Sequence, residues 1–352
     1  MKIGKKQIGI NHPTYFIADV GANHDGSLSR AKKLIKLAKK AGADAVKFQH
    51  FSAKTIVSDQ GFKKIKYLKS HQSKWKKSVF SVYKSASINP KWTKTLKFYC
   101  KKIGVEFMTS PYSLQIVDEI NPFVKAIKIG SGDITWLDII KKIAKKKKIG
   151  IIATGASSID EVKLAVKSYL KFNKFLILMQ CNTNYTGSNT NLKYVNLNVL
   201  KQYKKKFPKI TLGLSDHTFG HSSVLGAVTL GARVIEKHFT DKNSRTGPDH
   251  YFAMNPKTWR EMVDATRELE MSLGDGIKKV EKNETNSKIV QRRSIRASQS
   301  LQKGTILKES MLTYLRPCPD QALKPSDKKL ILNKRLRKRL KYHDIICKKD
   351  VK

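Results

Sequence analysis

The chain has 352 residues, of which 40% are hydrophobic, a proportion that supports a sizeable core and excludes general disorder. Its 71 Lys and Arg against 27 Asp and Glu give a formal net charge of +44, which is also typical of nucleic-acid-binding proteins. The lysines, however, recur on nearly every candidate helix, as at 32–40, 141–148 and 204–206, and form no single stripe. We therefore interpret the charge as a solvated, lysine-rich surface that attracts small anions and predict no specific nucleic-acid partner.

Neither a membrane span nor a secretion signal is predicted. No apolar run is long enough to cross a bilayer, and the opening residues MKIGKKQIGINHPTYF lack the apolar middle of a signal peptide. Cys100, Cys181, Cys318 and Cys347 lie far apart without CxxC spacing, which favours reduced thiols over a disulfide framework. We expect a cytoplasmic protein.

Eight short apolar runs alternate with stretches of helical period over the first 275 residues. We predict strands at 16–20, 44–49, 105–109, 125–129, 149–153, 175–180, 211–214 and 233–238. After the first strand, Leu28, Ala31, Leu34, Ile35 and Ala38 fall on one face of a predicted helix. Eight strand–helix pairs in this length predict an α/β fold, a (β/α)8 TIM barrel rather than a doubly wound sheet.

Two stretches depart from this alternation. Residues 52–88 form an insert after the second strand, a place on the C-terminal rim of a barrel where an insert can act as a lid. Residues 276–290 are polar and lack a core pattern, so we predict a linker between a barrel domain at 1–275 and a second domain at 291–352. Short alternating apolar runs separated by turn residues predict that this second domain is small and β-rich.

Barrel enzymes hold their reacting groups at the C-terminal ends of the strands. Here those ends carry lysines, hydroxyls, acids and histidines: Asp19, Lys47, Gln49, Ser110, Lys128, Ser131, Asp133, Gln180, Thr183, Tyr185, Asp216, His217, Glu236 and His238. Lys47 and Lys128 stand in apolar strands, and together with Ser110, Ser131 and the amides of a Gly-Ser-Gly turn they can bind phosphate and carboxylate. One such lysine can equally be a surface residue, but the combination at strand ends favours an anion site.

A pair of histidines marks the last two predicted strands. His217 and His238 lie at neighbouring strand ends, with Asp216 and Glu236 beside them. Two imidazoles with oxygen donors suit Mn, Fe, Co or Zn and leave positions open for a substrate. One histidine at a strand end is commonly structural, whereas a pair on adjacent strands favours a metal site held by His217 and His238.

Seven segments of the chain carry a resemblance that covers nearly its whole length. In order and position they resemble the N-acetylneuraminate (sialic acid) synthase family: IADVGANHDGS, AGADAVKFQ, FMTSPYS, AIKIGSGDI, LGLSDHT, GARVIEKHFT and GPDH. The final part, RRSIRA…LQKGTILKESMLTYLRP…DVK, resembles the C-terminal antifreeze-like (SAF) domain of that family. No single segment is decisive, but their combination on successive strands is specific.

The resemblance implies a transferase that condenses phosphoenolpyruvate with an N-acylated amino-sugar aldose, N-acetylmannosamine or a similar sugar. A divalent metal, Mn²⁺ first with Mg²⁺ or Co²⁺ as alternatives, would be held by His217 and His238 and would polarise the open-chain aldehyde. C3 of phosphoenolpyruvate would attack that carbonyl, and water would add at C2 before phosphate leaves. The product would be a sialic-acid-like nonulosonate.

Family positions also imply roles for individual residues. The residues that would hold phosphoenolpyruvate are Lys47, Ser110, Lys128 and Ser131. The acidic residues that would position or activate water and sugar hydroxyls are Asp19, Asp133 and Glu236. The substrate contacts on the sugar side would be Thr183, Tyr185 and Asp249.

Arg316 resembles a family arginine that reaches the barrel of a partner subunit and binds the N-acyl group of the sugar. It follows an alternating run at 311–315 and precedes Pro317, which fixes the turn that presents it. The implied assembly is a homodimer with a swapped C-terminal domain.

Several positions depart from the family pattern, mainly in the sugar half of the site. Asp19 and Asp133 stand where the family usually has Glu, Gln180-Cys181 replaces His-Cys, and RPCPD replaces RPGxG. The sugar is therefore open between N-acetylmannosamine, the diacetamido-trideoxy hexoses of legionaminic or pseudaminic acid synthases, and a phosphorylated sugar. No run of arginines near the pocket supports the phosphosugar.

The remaining alternative is a basic binding protein that contacts nucleic acid through KRLRKRLK at 334–341. We interpret this segment instead as a surface turn of the SAF-like domain.

Overall fold

The computed structural model describes residues 1–65, 72, 75–185 and 187–352, which divide into two compact units. Unit 1 comprises Met1–Gly274 and unit 2 comprises Asp275–Lys352. Part of the predicted insert, 66–71 and 73–74, and Thr186 lie outside the described residues. Within the described ranges, no helix is long and apolar enough to cross a bilayer.

Eight parallel strands close into a barrel in unit 1, which confirms the predicted TIM barrel. An antiparallel pair, β1 (Lys2–Ile3) and β2 (Lys6–Gln7), precedes it. The barrel strands are β3 (Tyr15–Gly21), β4 (Ala45–His50), β5 (Glu106–Pro111), β6 (Ala126–Ile129), β7 (Ile149–Ala153), β8 (Leu176–Cys181), β9 (Thr211–Asp216) and β10 (Val234–His238), and β10 closes the ring against β3. Each predicted strand overlaps an observed strand, with boundaries that differ by at most two residues.

A helix follows each barrel strand, and the described part of the insert contains three further helices. The helices of unit 1 are α1 (Leu28–Lys40), α2 (Ala53–Ile56), α3 (Asp59–Lys64), α4 (Val79–Ala86), α5 (Trp92–Ile103), α6 (Leu114–Ile120), α7 (Leu137–Lys145), α8 (Ile159–Leu170), α9 (Val199–Lys206), α10 (Ser222–Thr229) and α11 (Pro256–Ser272). Helix α8 begins after Ser158, which forms a capping box with Glu161. Helix α1 begins after Ser27, whose hydroxyl accepts a hydrogen bond from the Arg30 amide.

Side chains of the barrel strands alternate between two cores because successive residues of a strand point to opposite faces. On β3, Phe16 and Ala18 join the larger core between strands and helices, whereas Tyr15 and Ile17 join a core inside the barrel. The inner core also contains Ile3 and Ile8 from the β1–β2 region, which close the N-terminal end of the barrel. The next inward position on β3, Asp19, therefore lies above an apolar plug.

The insert after β4 contributes aromatic side chains to the C-terminal end of the barrel. Phe51 lies 5.4 Å from Tyr83 on α4 and 5.9 Å from Tyr112 after β5, measured between ring centroids. This packing holds α4 against the strand ends, which is the position predicted for a lid.

Unit 2 contains α12 (Thr285–Gln291) and an antiparallel pair, β11 (Ser294–Ala297) with β12 (Leu312–Leu315). Helix α12 occupies the end of the predicted linker, and the Cys318 amide donates to the Ile289 carbonyl at 2.9 Å. In the basic segment 334–341, Leu336 and Leu340 are buried in the unit 2 core, while the charged residues between them are exposed. The two leucines thus anchor this segment to the core of unit 2, and its charged side chains face solvent.

Candidate active site

Two lysines and two carboxylates form a buried charge array at the C-terminal end of the barrel, made of Asp19, Lys47, Lys128 and Glu236. The Lys47 Nζ lies 2.7 Å from Asp19 Oδ2 and 3.6 Å from Glu236 Oε1. The Lys128 Nζ lies 3.2 Å from the same Glu236 oxygen, and all four side chains are at most 5% exposed. Charges buried this deeply need partners, and here each has at least one.

The pairing decides which groups of the charge array stay ionised. Burial alone would raise the pKa of Asp19, but the charges of Lys47 and His238 outweigh it and lower that pKa to about 2. Burial alone would lower the pKa of Lys47, but Asp19 and Glu236 outweigh it and raise that pKa. Asp19 is therefore a fixed carboxylate near neutral pH rather than a proton donor.

Strand register explains why Asp19 stands at the centre of this arrangement. It pairs with Lys47 of β4 on one side and with His238 of β10 on the other. The β3–β4 pairing then passes to Gly21 and Phe48, which skips Val20 and turns the strand end. Gly21 has φ +52°, and a Cβ there would come within 2.9 Å of Asp249 Oδ2 and 3.3 Å of the His238 ring. A larger residue at Gly21 would thus displace both side chains.

Hydroxyl and amide groups complete the charge array. Ser110 Oγ lies 3.5 Å from the Lys47 Nζ, Gln49 donates to Asp19 at 3.1 Å, and Ser215 donates to Glu236 Oε1 at 3.2 Å. Ser131 accepts the Gly155 amide at 2.9 Å. Of the predicted phosphoenolpyruvate ligands, the structure thus places Lys47, Ser110 and Lys128 around the charge array and Ser131 on the turn after β6.

The two histidines face each other across the strand ends, with ring centroids 5.5 Å apart. His217 Nδ1 lies 2.8 Å from the Asn182 carbonyl, and since a carbonyl only accepts, Nδ1 carries the proton and Nε2 keeps its lone pair. His238 Nδ1 is buried and has no hydrogen-bond partner in the described part of the chain. These donors fit a divalent transition metal with open coordination positions. No cluster of three or more His, Cys, Asp or Glu ligands occurs among the described residues, so the candidate ligand set is this pair.

Asp216 is not an oxygen donor beside the histidines, and that interpretation of the sequence was wrong. Strand alternation turns Ser215 and His217 inward and Asp216 outward, where it forms a buried ion pair with Lys237 and accepts from Ser223 at 2.6 Å. This outer pair links the ends of β9 and β10, the strands that present the histidines. Gln180 also faces outward and donates to the Val195 carbonyl at 2.9 Å.

A cavity of about 380 Å³ opens above the charge array and is called the rim cavity here. One side is polar and comes from the barrel, and the other is mostly apolar and comes from the insert and adjoining loops. Its lining residues are Ala22, Gln49, Phe51, Ile56, Gln72, Trp75, Val82, Tyr83, Ala86, Tyr112, Gly130, Ser131, Gly132, Asp133, Tyr185, His238, Pro248 and Asp249.

Two predicted sugar contacts and one predicted acid lie in this cavity. Asp249 Oδ2 lies 3.7 Å from His238 Nδ1, and the Tyr185 ring centroid lies 4.2 Å from that of His217. Burial raises the pKa of Asp133 to about 6, although Lys128 opposes the shift. Thr183 is half-buried beside Gly155, where its methyl group fills the space of a Cβ.

Comparison with known proteins identifies the family to which this chain belongs. The model of the NeuB family matches residues 34–278, and that of the SAF domain matches residues 292–352. The chain belongs to the NeuB family. The resemblance drawn from the seven sequence segments is thereby confirmed, and so is the C-terminal SAF domain.

Relatives of this NeuB-family chain include two named synthases of Campylobacter jejuni. The N,N'-diacetyllegionaminic acid synthase is 37% identical over 308 residues, which cover 86% of this chain and 90% of that protein. The pseudaminic acid synthase is 32% identical over 355 residues, which cover 99% of each. A crystal structure of N-acetylneuraminic acid (sialic acid) synthetase from Leptospira borgpetersenii, in complex with citrate, matches with a TM-score of 0.71 at 27% identity and covers 82% of this chain and 94% of that one.

Arg316 alone among the predicted site residues belongs to unit 2 of this NeuB-family chain. It is exposed and directly follows β12. Its contact with the sugar of a partner subunit stays a prediction.

The aromatic lining of the rim cavity was not predicted from the sequence. Tyr83 and Tyr112 both pack on Phe51. Burial, followed by the charge of Asp133, raises the pKa of Tyr112 well above its usual value. Tyr112 lies within the segment FMTSPYS, so its place after a strand end was the available signal. Phe51 immediately precedes the insert and Tyr83 belongs to it, and the insert carries no periodicity that points to a barrel.

Proposed function

We propose that this NeuB-family chain is a cytoplasmic transferase that condenses phosphoenolpyruvate with an N-acylated amino-sugar aldose and releases phosphate and a nonulosonate. One observation carries the proposal: the charge array and the His217–His238 pair meet at Asp19, which contacts both groups. An anion site and a site for a polarised carbonyl would therefore adjoin each other, as a condensation of these two substrates requires.

Phosphoenolpyruvate would be held by Lys47 and Lys128, with hydroxyls from Ser110 and Ser131. The two lysines are largely offset by Asp19 and Glu236, so a divalent metal is needed to leave the site positively charged for phosphate and carboxylate. Mn²⁺, or Mg²⁺ or Co²⁺ in its place, would be bound by His217 and His238. When bound there, it supplies Lewis-acid polarisation of the aldose carbonyl.

The three acidic residues would have different tasks because their environments differ. Asp19 is held ionised and orients Lys47 and Gln49. Glu236 Oε1 is bound by Ser215 and Lys128, whereas Oε2 is buried without a partner among the described residues and can accept a hydrogen bond from the water that adds at C2. Asp133, with its pKa near 6, can take up a proton close to neutral pH.

The aldose would lie in the rim cavity with one face on Asp249 and the other on the insert. Phe51, Ile56 and Val82 make that second wall apolar, which suits acetyl and methyl groups. No arginine or lysine lines the cavity in the described part of the chain, which disfavours a phosphorylated sugar. The apolar wall makes the legionaminic- or pseudaminic-type aldose, a diacetamido-trideoxy hexose, the second candidate beside N-acetylmannosamine.

The test incubates the protein with phosphoenolpyruvate, Mn²⁺ and a panel of aldoses, and measures phosphate release and product mass. The panel contains N-acetylmannosamine, its 6-phosphate and the diacetamido-trideoxy hexoses. We expect aldose-dependent phosphate release and a product with the mass of the aldose plus pyruvate. Phosphate release that is absent with every aldose, or that is independent of aldose, would contradict the proposal.

A further inference from the structure

A chain of side-chain contacts centred on the buried His250 joins the two loops that border the rim cavity. Asp25, in the loop between β3 and α1, lies 2.9 Å from His250 Nε2 through Oδ1. His250 Nδ1 lies 2.7 Å from the hydroxyl of Thr240, just after β10. His250 and Thr240 are fully buried, at 0% exposure, so the contact between them is shielded from water, whereas the Asp25 side chain is 27% exposed.

The chemistry of the contacts fixes the orientation of His250. A carboxylate oxygen accepts hydrogen bonds, so His250 Nε2 donates to Asp25 Oδ1. The second Asp25 oxygen pairs with Arg30, which anchors the carboxylate at the start of α1. Asn23, also at 0% exposure, donates to the Phe239 carbonyl at 3.0 Å and so ties the same two loops a second time.

The residue next to His250 is Asp249, the predicted sugar contact. Its Oδ2 accepts the Ala22 amide at 3.3 Å and stands 3.7 Å from His238 Nδ1. The backbone of Asp249 is thus held by the neighbouring His250, and its carboxylate is held by the Ala22 amide. A carboxylate on a loop would otherwise sample several positions over the cavity.

We infer that His250 is a positioning residue that, through Asp25 and Thr240, fixes the Asp249 carboxylate beside His238 for aldose binding. This inference rests on the proposed function for its substrate. The Asp25–His250–Thr240 contacts are called the clamp here. We expect a selective effect on one substrate, because Lys47 and Lys128 lie on β4 and β6, which the clamp does not contact. Removal of the clamp should weaken the aldose and spare phosphoenolpyruvate.

A matched control exists at the end of β4, which neighbours β3 but not β10. His50 is also buried, at 4% exposure, and bridges the hydroxyls of Thr109 at 2.6 Å and Thr93 at 2.7 Å. A role limited to packing would give His50→Phe and His250→Phe the same consequence, namely a lower melting temperature with no difference between the two substrates.

The kinetic test compares His250→Phe, His250→Gln and His50→Phe under saturating Mn²⁺. We expect His250→Phe to raise the KM for the aldose about tenfold and to change that for phosphoenolpyruvate by less than about twofold. His250→Gln keeps a donor for Asp25 and should recover part of the loss, and Asp25→Asn should not add fully to His250→Phe. An unchanged aldose KM in His250→Phe, or equal changes for both substrates, would overturn the inference.

A second measurement tests the clamp without catalysis. Amide hydrogen exchange is followed in segments 21–27 and 247–254 of the full chain without substrates. His250→Phe and Asp25→Asn should each accelerate both segments together, whereas His50→Phe should accelerate neither. Acceleration of only one segment would overturn the clamp. Wild-type protein that condenses no aldose would instead overturn the proposed function, and the exchange result would still decide the clamp.

Discussion

The charge array and the rim cavity are built in different ways, although His238 adjoins both: it lies 3.6 Å from Asp19 of the array and lines the cavity. Every member of the charge array lies on a barrel strand and points inward by strand alternation. The rim cavity is assembled from the insert, the turns after β5 and β6, and the segments that carry Tyr185 and Asp249. Strand side chains have their direction set by the sheet, whereas loop side chains depend on contacts far away in the sequence.

This difference suggests a division of labour. The charge array would determine phosphoenolpyruvate binding and the type of reaction, and the rim cavity would determine which aldose reacts. A variant that changes the KM values of both substrates together would contradict this division, whereas a variant that changes only one KM would support it.

Loss of the histidine pair is expected to have the largest effect, since His217 and His238 stand at the border of the two regions. Chelation should abolish phosphate release and Mn²⁺ or Co²⁺ should restore it, because the carbonyl would lose its polarisation. The double variant His217→Ala, His238→Ala should be inactive at any metal concentration. Full activity in that variant would rule out the metal assignment.

Asp133 should produce the next largest effect, on the pH profile. With its pKa raised to about 6, kcat/KM should rise as the pH passes through about 6, and Asp133→Asn should lose this limb and about 100-fold in rate. A profile that keeps the limb in Asp133→Asn would assign it to another group.

The same shift makes a stability prediction with a definite sign. The folded pKa lies above that of the unfolded chain, so the folded state binds the proton more tightly and Asp133 lowers stability as the pH rises from about 4 through about 6. Asp133→Asn should therefore stabilise the protein by about 1 to 3 kcal/mol above pH 6 and not below pH 4, as measured by denaturant unfolding.

How much of this the sequence could predict follows the same boundary between strands and loops. The charge array was predictable because Lys47, Lys128 and Glu236 interrupt apolar strands at inward positions. Asp216 was wrongly predicted to lie beside the histidines, because a shift of one residue along a strand turns a side chain to the opposite face of the sheet. The Asp25–His250 contact spans 225 positions, and no local pattern signals it. The β1–β2 pair was missed because two-residue strands are too short to show a period.

Substitution of Lys47 or Lys128 in the charge array is expected to have an intermediate effect, on phosphoenolpyruvate binding. Lys47→Ala and Lys128→Ala should raise the KM for phosphoenolpyruvate roughly 10- to 100-fold and that for the aldose little, because each removes a charge-assisted contact worth about 1.5–3 kcal/mol. Lys237→Ala is the matched control, since Lys237 is equally buried but pairs with Asp216 on the outer face. It should lower the melting temperature without a selective change in either KM. If both array variants keep the wild-type KM for phosphoenolpyruvate, the proposed placement of that substrate at the two lysines is wrong.

The smallest effect is expected for Arg316, on the aldose side only. A guanidinium that binds the N-acyl carbonyl from a partner subunit suits a cavity whose described lining contains no other cation. Arg316→Ala should raise the KM for the aldose about tenfold, with phosphoenolpyruvate unaffected.

Mixing two variants tells whether that arginine acts within its own chain or in the partner's site. Arg316→Ala and His238→Ala chains are co-refolded in equal amounts and assayed at an aldose concentration below KM. In a swapped homodimer, the barrel of the Arg316→Ala chain regains Arg316 from the His238→Ala chain, so activity should rise about fivefold over the unmixed sum. Unchanged activity in demonstrated mixed dimers would place the arginine in its own chain's site. A monomer at micromolar concentration would rule out the swap, because no partner would then be present to supply the residue.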